Sequence, residues 1–469
     1  MTGTVAPSSD DPVVQGLVEA VGGPPGRYSS VTQHRFWTPL RVTLALALLV
    51  LAAAWVQKAP CREHAWVNEY QYTHACYTDV FALYYAEGLA EGKLPYRDHP
   101  VEYPVLTGAV MGMVGLPVHA VAAGNAARWF FDLTALLLAA SAVVTVWAVA
   151  RLHRRRPWDA AMVALAPAMV VTAYVNWDLF AIALATTALL AWARQRLVWA
   201  GILLGLAVAA KFYPLLFLGP LFLLCLRAGR LRAFAVTAGT GLATWAVCNL
   251  PVALGAPESW ERFFVLNRTR DVDWGTAWYV LRYLRGGQSL DTAVPEGGSP
   301  ATLNLAVAGA LLLGCAAIAV LALFAPRRPR LGQLLFLVVA IFLLTSKVWS
   351  QQYVLWLIPL AVLARPRWAA FLGWQACELA YFFAFYHELL GVAKISAGGA
   401  AVIPEWLFIA ASTLRAGGLL VLCALVVIDV VWPAGDTVRA DGEDDPIGGV
   451  LDRAPDRLRI GSSATSLPA

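Results

Sequence analysis

Long blocks of Leu, Ala and Val alternate along this chain with short polar breaks. LRVTLALALLVLAAAWV (40–56) and TLNLAVAGALLLGCAAIAVLALF (302–324) are material for membrane-spanning helices. The polar breaks fall into two kinds. One kind is arginine-rich: Arg151–Arg156 (RLHRRR), Arg194–Arg196 (RQR), Arg227–Arg232 (RAGRLR), Arg327–Arg330 (RRPR) and Arg365–Arg367 (RPR). The positive-inside rule puts all five on the cytoplasmic face, so an even number of crossings must separate them. Each interval does hold two apolar stretches around a break of the second kind. Those breaks are Val175–Asn176, Lys211–Phe212, 253–300, Ser346–Gln352 and, after the last cluster, 388–403. One apolar stretch, 103–121, would invert the topology if it spanned. Its Gly, Pro and His119 suit a helix lying in the external headgroup region instead.

This pattern predicts an all-α polytopic membrane protein of about twelve transmembrane helices with external juxtamembrane helices and both termini cytoplasmic. Residues 1–36 and 433–469 are expected to be disordered cytoplasmic tails, and 37–432 the membrane domain, with external loops at 58–126 and 253–300. Spans such as 198–211 and 352–364 are too short to cross about 30 Å of hydrocarbon upright and are expected to line a cavity. The first apolar run has no small-residue cleavage site before or within it and reads as a retained helix.

Composition agrees: the 469 residues are 59% hydrophobic and only 14% charged, more apolar surface than a soluble fold of this size can hide. The net charge of +5 lies mostly in the short arginine loops and calls for no nucleic-acid partner. Of seven cysteines, five sit inside apolar runs as small hydrophobes. Cys61 and Cys76 share the first external loop, where they are either free thiols or a disulfide closing a loop of about fifteen residues. The seven histidines are dispersed, and there is no HExxH, DxD, P-loop or dinucleotide fingerprint, so neither a metal nor another cofactor is expected.

The same topology gathers Asp79, Glu102, Asp178, Lys211, Lys347 and His387 at the external surface. Each has a plain structural reading beside a chemical one. Asp79 opens the run DVFALYYAEGLAEG and is either its helix cap or a reactive carboxylate. Arg97 either pairs with Asp98 or Glu102 as a solvated ion pair or contacts substrate. Lys211 and Lys347 end apolar helices, where a lysine either snorkels or meets an anion. Asp178 either caps a span or binds sugar hydroxyls, and Trp349 and Tyr353 either stack on a sugar or belong to the aromatic belt. His387 is either a phosphate or acceptor ligand or an interfacial polar group. Arg262, Arg268 and Arg270 in WERFFVLNRTRDVDWGTAW are either an acceptor- or phospholipid-facing surface or an amphipathic cover.

CYTD (Cys76–Asp79), PYRDHPVEYPVLTG (Pro95–Gly108), NWD (Asn176–Asp178), KFYP (Lys211–Pro214) and SKVWSQQY (Ser346–Tyr353) together resemble the GT-C glycosyltransferases. The nearest likeness is to glycosyltransferase family 87, the polyprenol-phosphate-mannose-dependent α-mannosyltransferases of actinobacterial envelopes, over roughly residues 40–430. The family often carries a Pro where this chain has Gln351, which puts the backbone shape there in question. The resemblance implies an inverting transfer of a sugar, mannose by likeness, from a polyprenyl-phosphate donor to an envelope glycolipid or glycan, at the outer face of a bacterial cytoplasmic membrane. It implies Asp79 as general base, while the residues' own placement offers Lys211, Lys347 and His387 as donor-phosphate ligands. It further implies Arg97, Glu102, Asn176, Asp178, Tyr213, Trp349, Gln351, Gln352 and Tyr353 around the substrates. The competing reading is a polytopic transporter or a lipid or polysaccharide flippase, which would place its charges near the bilayer midplane and show internal repeats. A non-catalytic scaffold is a third.

Overall fold

The computed structural model describes residues 11–22, 36–65, 67–121, 124–291, 294 and 298–458, and among them every extended element is a helix. Five helices are long and apolar enough to cross a membrane: Pro39–His64, Ala126–Leu152, Leu231–Gly255, Ala301–Phe324 and Glu405–Val431. At 1.5 Å per residue the 26-residue Pro39–His64 helix is about 39 Å long. The shorter apolar helices are different. Leu197–Ala210 has 14 residues and Leu331–Thr345 has 15, about 21–23 Å each, short of the hydrocarbon thickness. The expected count of about twelve spans thus meets five full-length helices and a set of shorter ones. Large apolar side chains such as Leu48, Leu49, Leu242, Leu305 and Leu313 lie exposed on the long helices, as a lipid-facing surface requires.

The core forms where these helices meet. Ala126–Leu152 packs against Pro39–His64 and Asp178–Ala193, and Leu197–Ala210 packs against both Asp178–Ala193 and Leu231–Gly255. The last contact is very close: a Cβ on Gly205 would lie 2.3 Å from the Gly241 carbonyl oxygen, so only small residues permit it. The stretch expected to lie in the headgroup region forms the Val105–Val121 helix, packed on Ala126–Leu152 and Leu197–Ala210 with Val110, Met111 and Val118 buried.

The described parts of both tails are folded, where composition predicts disorder. In the first, Pro12–Gly22 is helical, and Asp11 accepts hydrogen bonds from the backbone N–H groups of Val13 and, far away, Trp368; residues 1–10 and 23–35 of that tail lie outside the described residues. In the second, residues 433–458 are folded onto the arginine-rich helix ends, while 459–469 lie outside the described residues. Val438, Ile447 and Leu451 are buried there. Asp436 pairs with Arg330 at 2.7 Å, and Asp456 pairs with Arg227 at 2.8 Å and Arg328 at 2.6 Å. The Asp- and Gly-rich composition that suggested disorder is what neutralises these buried guanidinium groups; disorder follows from such composition only where no partner surface exists.

Candidate active site

The first external loop is pinned at its root. Cys61, in the last turn of Pro39–His64, is disulfide-bonded to Cys76. One turn earlier, the buried Lys58 ammonium donates to the carbonyls of Tyr77 and Val171, each at 3.0 Å, clamping the loop to the Pro167–Thr172 helix. Thr78 then caps the Asp79–Ala86 helix by accepting from the Val80 N–H, and its hydroxyl donates to the Tyr174 carbonyl. Of the two readings open to Asp79, the cap therefore belongs to Thr78, and the Asp79 carboxylate turns to other partners. Its carboxylate accepts from Asn176 Nδ2 at 2.7 Å and hydrogen-bonds the Tyr77 hydroxyl. Burial pushes the Asp79 carboxyl up to about 6, and the bonds from Tyr77 and Asn176 and the charge of Lys211 hold it from going higher.

Asn176 is itself over-determined: its Nδ2 also donates to the Tyr103 hydroxyl, and its Oδ1 accepts from the Trp177 N–H. Tyr103 is placed by the PYRDHPVEYP turn. Tyr96 adopts a left-handed φ of 67°, and its hydroxyl donates to the Tyr103 carbonyl at 2.9 Å. Gly108 lets that ring pass, since a Cβ there would lie 2.2 Å from the Tyr96 hydroxyl. The Glu102 N–H donates to Glu87, whose carboxyl burial pushes up to about 7.

Lys211 stands where Leu197–Ala210 stops, and Thr107 fixes that stop by donating to the Ala210 carbonyl at 2.6 Å. Its ammonium lies 3.1 Å from Asp178, with the rings of Tyr103, Tyr353 and Trp356 at 5.4–5.8 Å. Asp178, fully buried in the first turn of Asp178–Ala193, also accepts from Trp356 Nε1. Tyr213 and Tyr353 each stack on Trp356, at 4.4 Å and 4.0 Å. Lys347 is used differently. Its ammonium donates to the carbonyls of Arg268 and Arg270 and to Asn304 Oδ1, which occupies all three of its N–H donors.

These breaks surround one cavity of about 660 Å³, lined by Asp79, Glu102, Asn176, Lys211, Lys347 and Arg270 among others. Tyr213, Gln351, Gln352 and Tyr353 also reach it. Gln351 donates to the Tyr386 hydroxyl at 2.9 Å, whereas the buried Oε1 of Gln352 has no hydrogen-bond partner among the described residues. Four expected residues do not line it. Asp178 lies behind Lys211 as its counter-ion. Trp349 is buried under the Arg415 guanidinium at 4.1 Å, where its ring packs against a cation and no sugar can stack on it. Arg97 is exposed beside Asp98, at 3.8 Å. His387 is exposed within Trp368–Ser396, a helix that continues past it, and its Nδ1 sits on the Phe383 carbonyl.

Sequence reading missed Tyr77, Tyr103, Asp273 and Tyr386 in the lining, and Lys58 beneath it. Tyr77 and Tyr103 lie inside motifs already singled out, and a lysine within the last two turns of an apolar helix was a readable signal. The sequence leaves Arg270 between an acceptor- or phospholipid-facing surface and an amphipathic cover. In the structure it lines the cavity, and its guanidinium makes no hydrogen bond or ion pair among the described residues.

Long apolar helices thus carry a cavity of carboxylate, amide and cationic groups at one end. The glycosyltransferase family 87 model matches residues 101–346, just over half of the chain, and the chain belongs to that family. The matched stretch starts after Asp79 and ends just before Lys347. A crystal structure of the Archaeoglobus fulgidus oligosaccharyltransferase in its apo form is 12% identical, with a TM-score of 0.38. That alignment covers 85% of this chain but only 56% of the oligosaccharyltransferase, so this chain spans little more than half of that protein's length. No curated protein matches the chain.

Proposed function

We propose that this glycosyltransferase moves a sugar, mannose in the first instance, from a polyprenyl-phosphate donor to an envelope glycolipid or glycan at the external face of a bacterial membrane. The observation that carries this reading is the placement of Asp79: its carboxylate is held by two neutral donors in a cavity that also contains Lys211, Lys347 and Arg270, whose guanidinium has no partner among the described residues. The acceptor oxygen attacks the anomeric carbon while Asp79 takes its proton. The bond from that carbon to the phosphate oxygen breaks, and its electron pair leaves on the lipid phosphate, with inversion at the sugar. A phosphate leaving group needs positive charge more than a proton. Arg270, with free donors, is best suited to contact it; Lys211 adds charge beside its counter-ion, and Lys347, its donors occupied, fixes the loop that carries Arg270. The free Oε1 of Gln352 and the carboxylate of Glu102 suit sugar hydroxyls.

A base with a pKa of about 6 is ionised above that pH and loses its charged fraction tenfold for each unit below it. Transfer therefore falls with acid and levels off toward neutrality. The test is incubation of the purified protein with radiolabelled polyprenyl-phosphate-mannose and a membrane lipid extract. Label should enter an extractable glycolipid or glycan. Transfer only from another polyprenyl-phosphate sugar would replace mannose, and no transfer from any such donor would overturn the donor class.

A further inference from the structure

We propose that the arginine-rich ends of Ala126–Leu152 and Asp178–Ala193 carry a binding site for the phosphate headgroup of an anionic phospholipid. Arg151, Arg154 and Arg194 line a separate cavity of about 590 Å³ together with Leu40, Ala150 and Pro157. All three arginines are exposed, and among the described residues none makes a hydrogen bond or ion pair and no carboxylate lines the space. Neighbouring arginines at the same end behave otherwise: Arg156 pairs with both Asp159 and Asp441, and Arg155 donates to the Asp441 carbonyl. Three guanidinium groups with no counter-ion among the described residues repel each other around one space, and a phosphate anion relieves that repulsion.

The level of the cavity identifies the source of the phosphate. It lies at the start of Pro39–His64 and the end of Ala126–Leu152, two membrane-length helices packed against each other. Arg194 closes Asp178–Ala193, a helix of 16 residues, which sets it about 24 Å from Asp178. Trp37 and Trp199 are exposed close by in sequence, as residues at a headgroup boundary are. Leu48 and Leu49 continue as exposed apolar surface along the same helix, where acyl chains would run. A lipid phosphate at this depth has its tails already in place; a soluble phosphate has no such complement.

The full chain in nanodiscs of phosphatidylcholine, with and without a minority of phosphatidylglycerol, provides the test, read as the thermal unfolding midpoint. Phosphatidylglycerol should raise the midpoint of the wild type by roughly 2–4 °C. The Arg151→Gln/Arg154→Gln/Arg194→Gln variant should lose that rise, while Arg230→Gln/Arg232→Gln/Arg285→Gln, which removes equal charge elsewhere, should keep it. An equal rise in the first variant, or an equal loss in the second, would overturn the site. Inorganic phosphate added to phosphatidylcholine discs should give no rise; if it reproduces the effect, the ligand is a free anion and the lipid assignment fails. Should the triple variant not survive extraction, Arg154→Gln alone must carry less co-purified anionic phospholipid by native mass spectrometry than the wild type, and equal amounts would reject the proposal. None of these readouts depends on glycosyl transfer.

Discussion

At the end of the molecule where Arg227, Arg328 and Arg330 lie, every one of these guanidinium groups meets a carboxylate from the C-terminal segment and at least two backbone carbonyls. At the other end the Asp79 carboxylate meets an amide and a phenol, and the Arg270 guanidinium meets no hydrogen-bond or ion-pair partner among the described residues. Both ends concentrate charge among short breaks between apolar helices, so charge density alone does not mark a site. The difference is satisfaction. Buried ions that are fully paired hold helices together and have no capacity left for a ligand, whereas charges left open to a cavity are costly to the fold and available to chemistry.

Substitutions at the two ends should therefore fail in opposite ways. The largest effect is expected at Asp79. Asp79→Asn should lower transfer by roughly 10²–10⁴-fold, the contribution of a general base, with an unfolding midpoint no lower than wild type. Asp79 is raised in the folded state, so ionising it between about pH 4 and 6 costs stability, and the neutral amide does not carry that cost. Next is Arg330→Met, which leaves Asp436 buried and unpaired and should destabilise the fold by about 3–5 kcal/mol, read by denaturation in detergent, with transfer per folded molecule retained. Arg270→Gln should lower kcat/KM for the lipid donor by roughly ten- to a hundredfold, below the usual loss for a buried donor because this guanidinium is exposed. The smallest effects belong to residues the structure leaves outside the cavity: His387→Ala and Arg97→Ala should each change transfer and stability by no more than about twofold.

How much of this was legible depends on what kind of signal each residue leaves in the chain. Apolar blocks and arginine clusters announced the helices, and the polar breaks that bound Asn176, Lys211 and Gln351 were readable because an ionisable or amide group inside apolar sequence is rare. Those breaks do converge. Pairings across long separations were not readable. Lys211 has no acidic neighbour in sequence, and its partner Asp178 lies one helix away; the sequence leaves Trp349 between a sugar platform and the aromatic belt, and neither reading contains Arg415, 66 residues on, which covers it. The C-terminal segment shows the same blindness at larger scale. Its composition reads as disorder, and only the fold reveals that Asp436, Asp444 and Asp456 face arginines more than a hundred residues earlier.

Specific transfer from a radiolabelled polyprenyl-phosphate sugar, normalised to folded protein, in Asp79→Asn beside Arg330→Met, tests most directly whether the open charges are the catalytic ones. Asp79→Asn should be well folded and nearly inactive, and Arg330→Met poorly stable yet active molecule for molecule. Wild-type transfer by Asp79→Asn, or a folded but inactive Arg330→Met, would contradict that assignment.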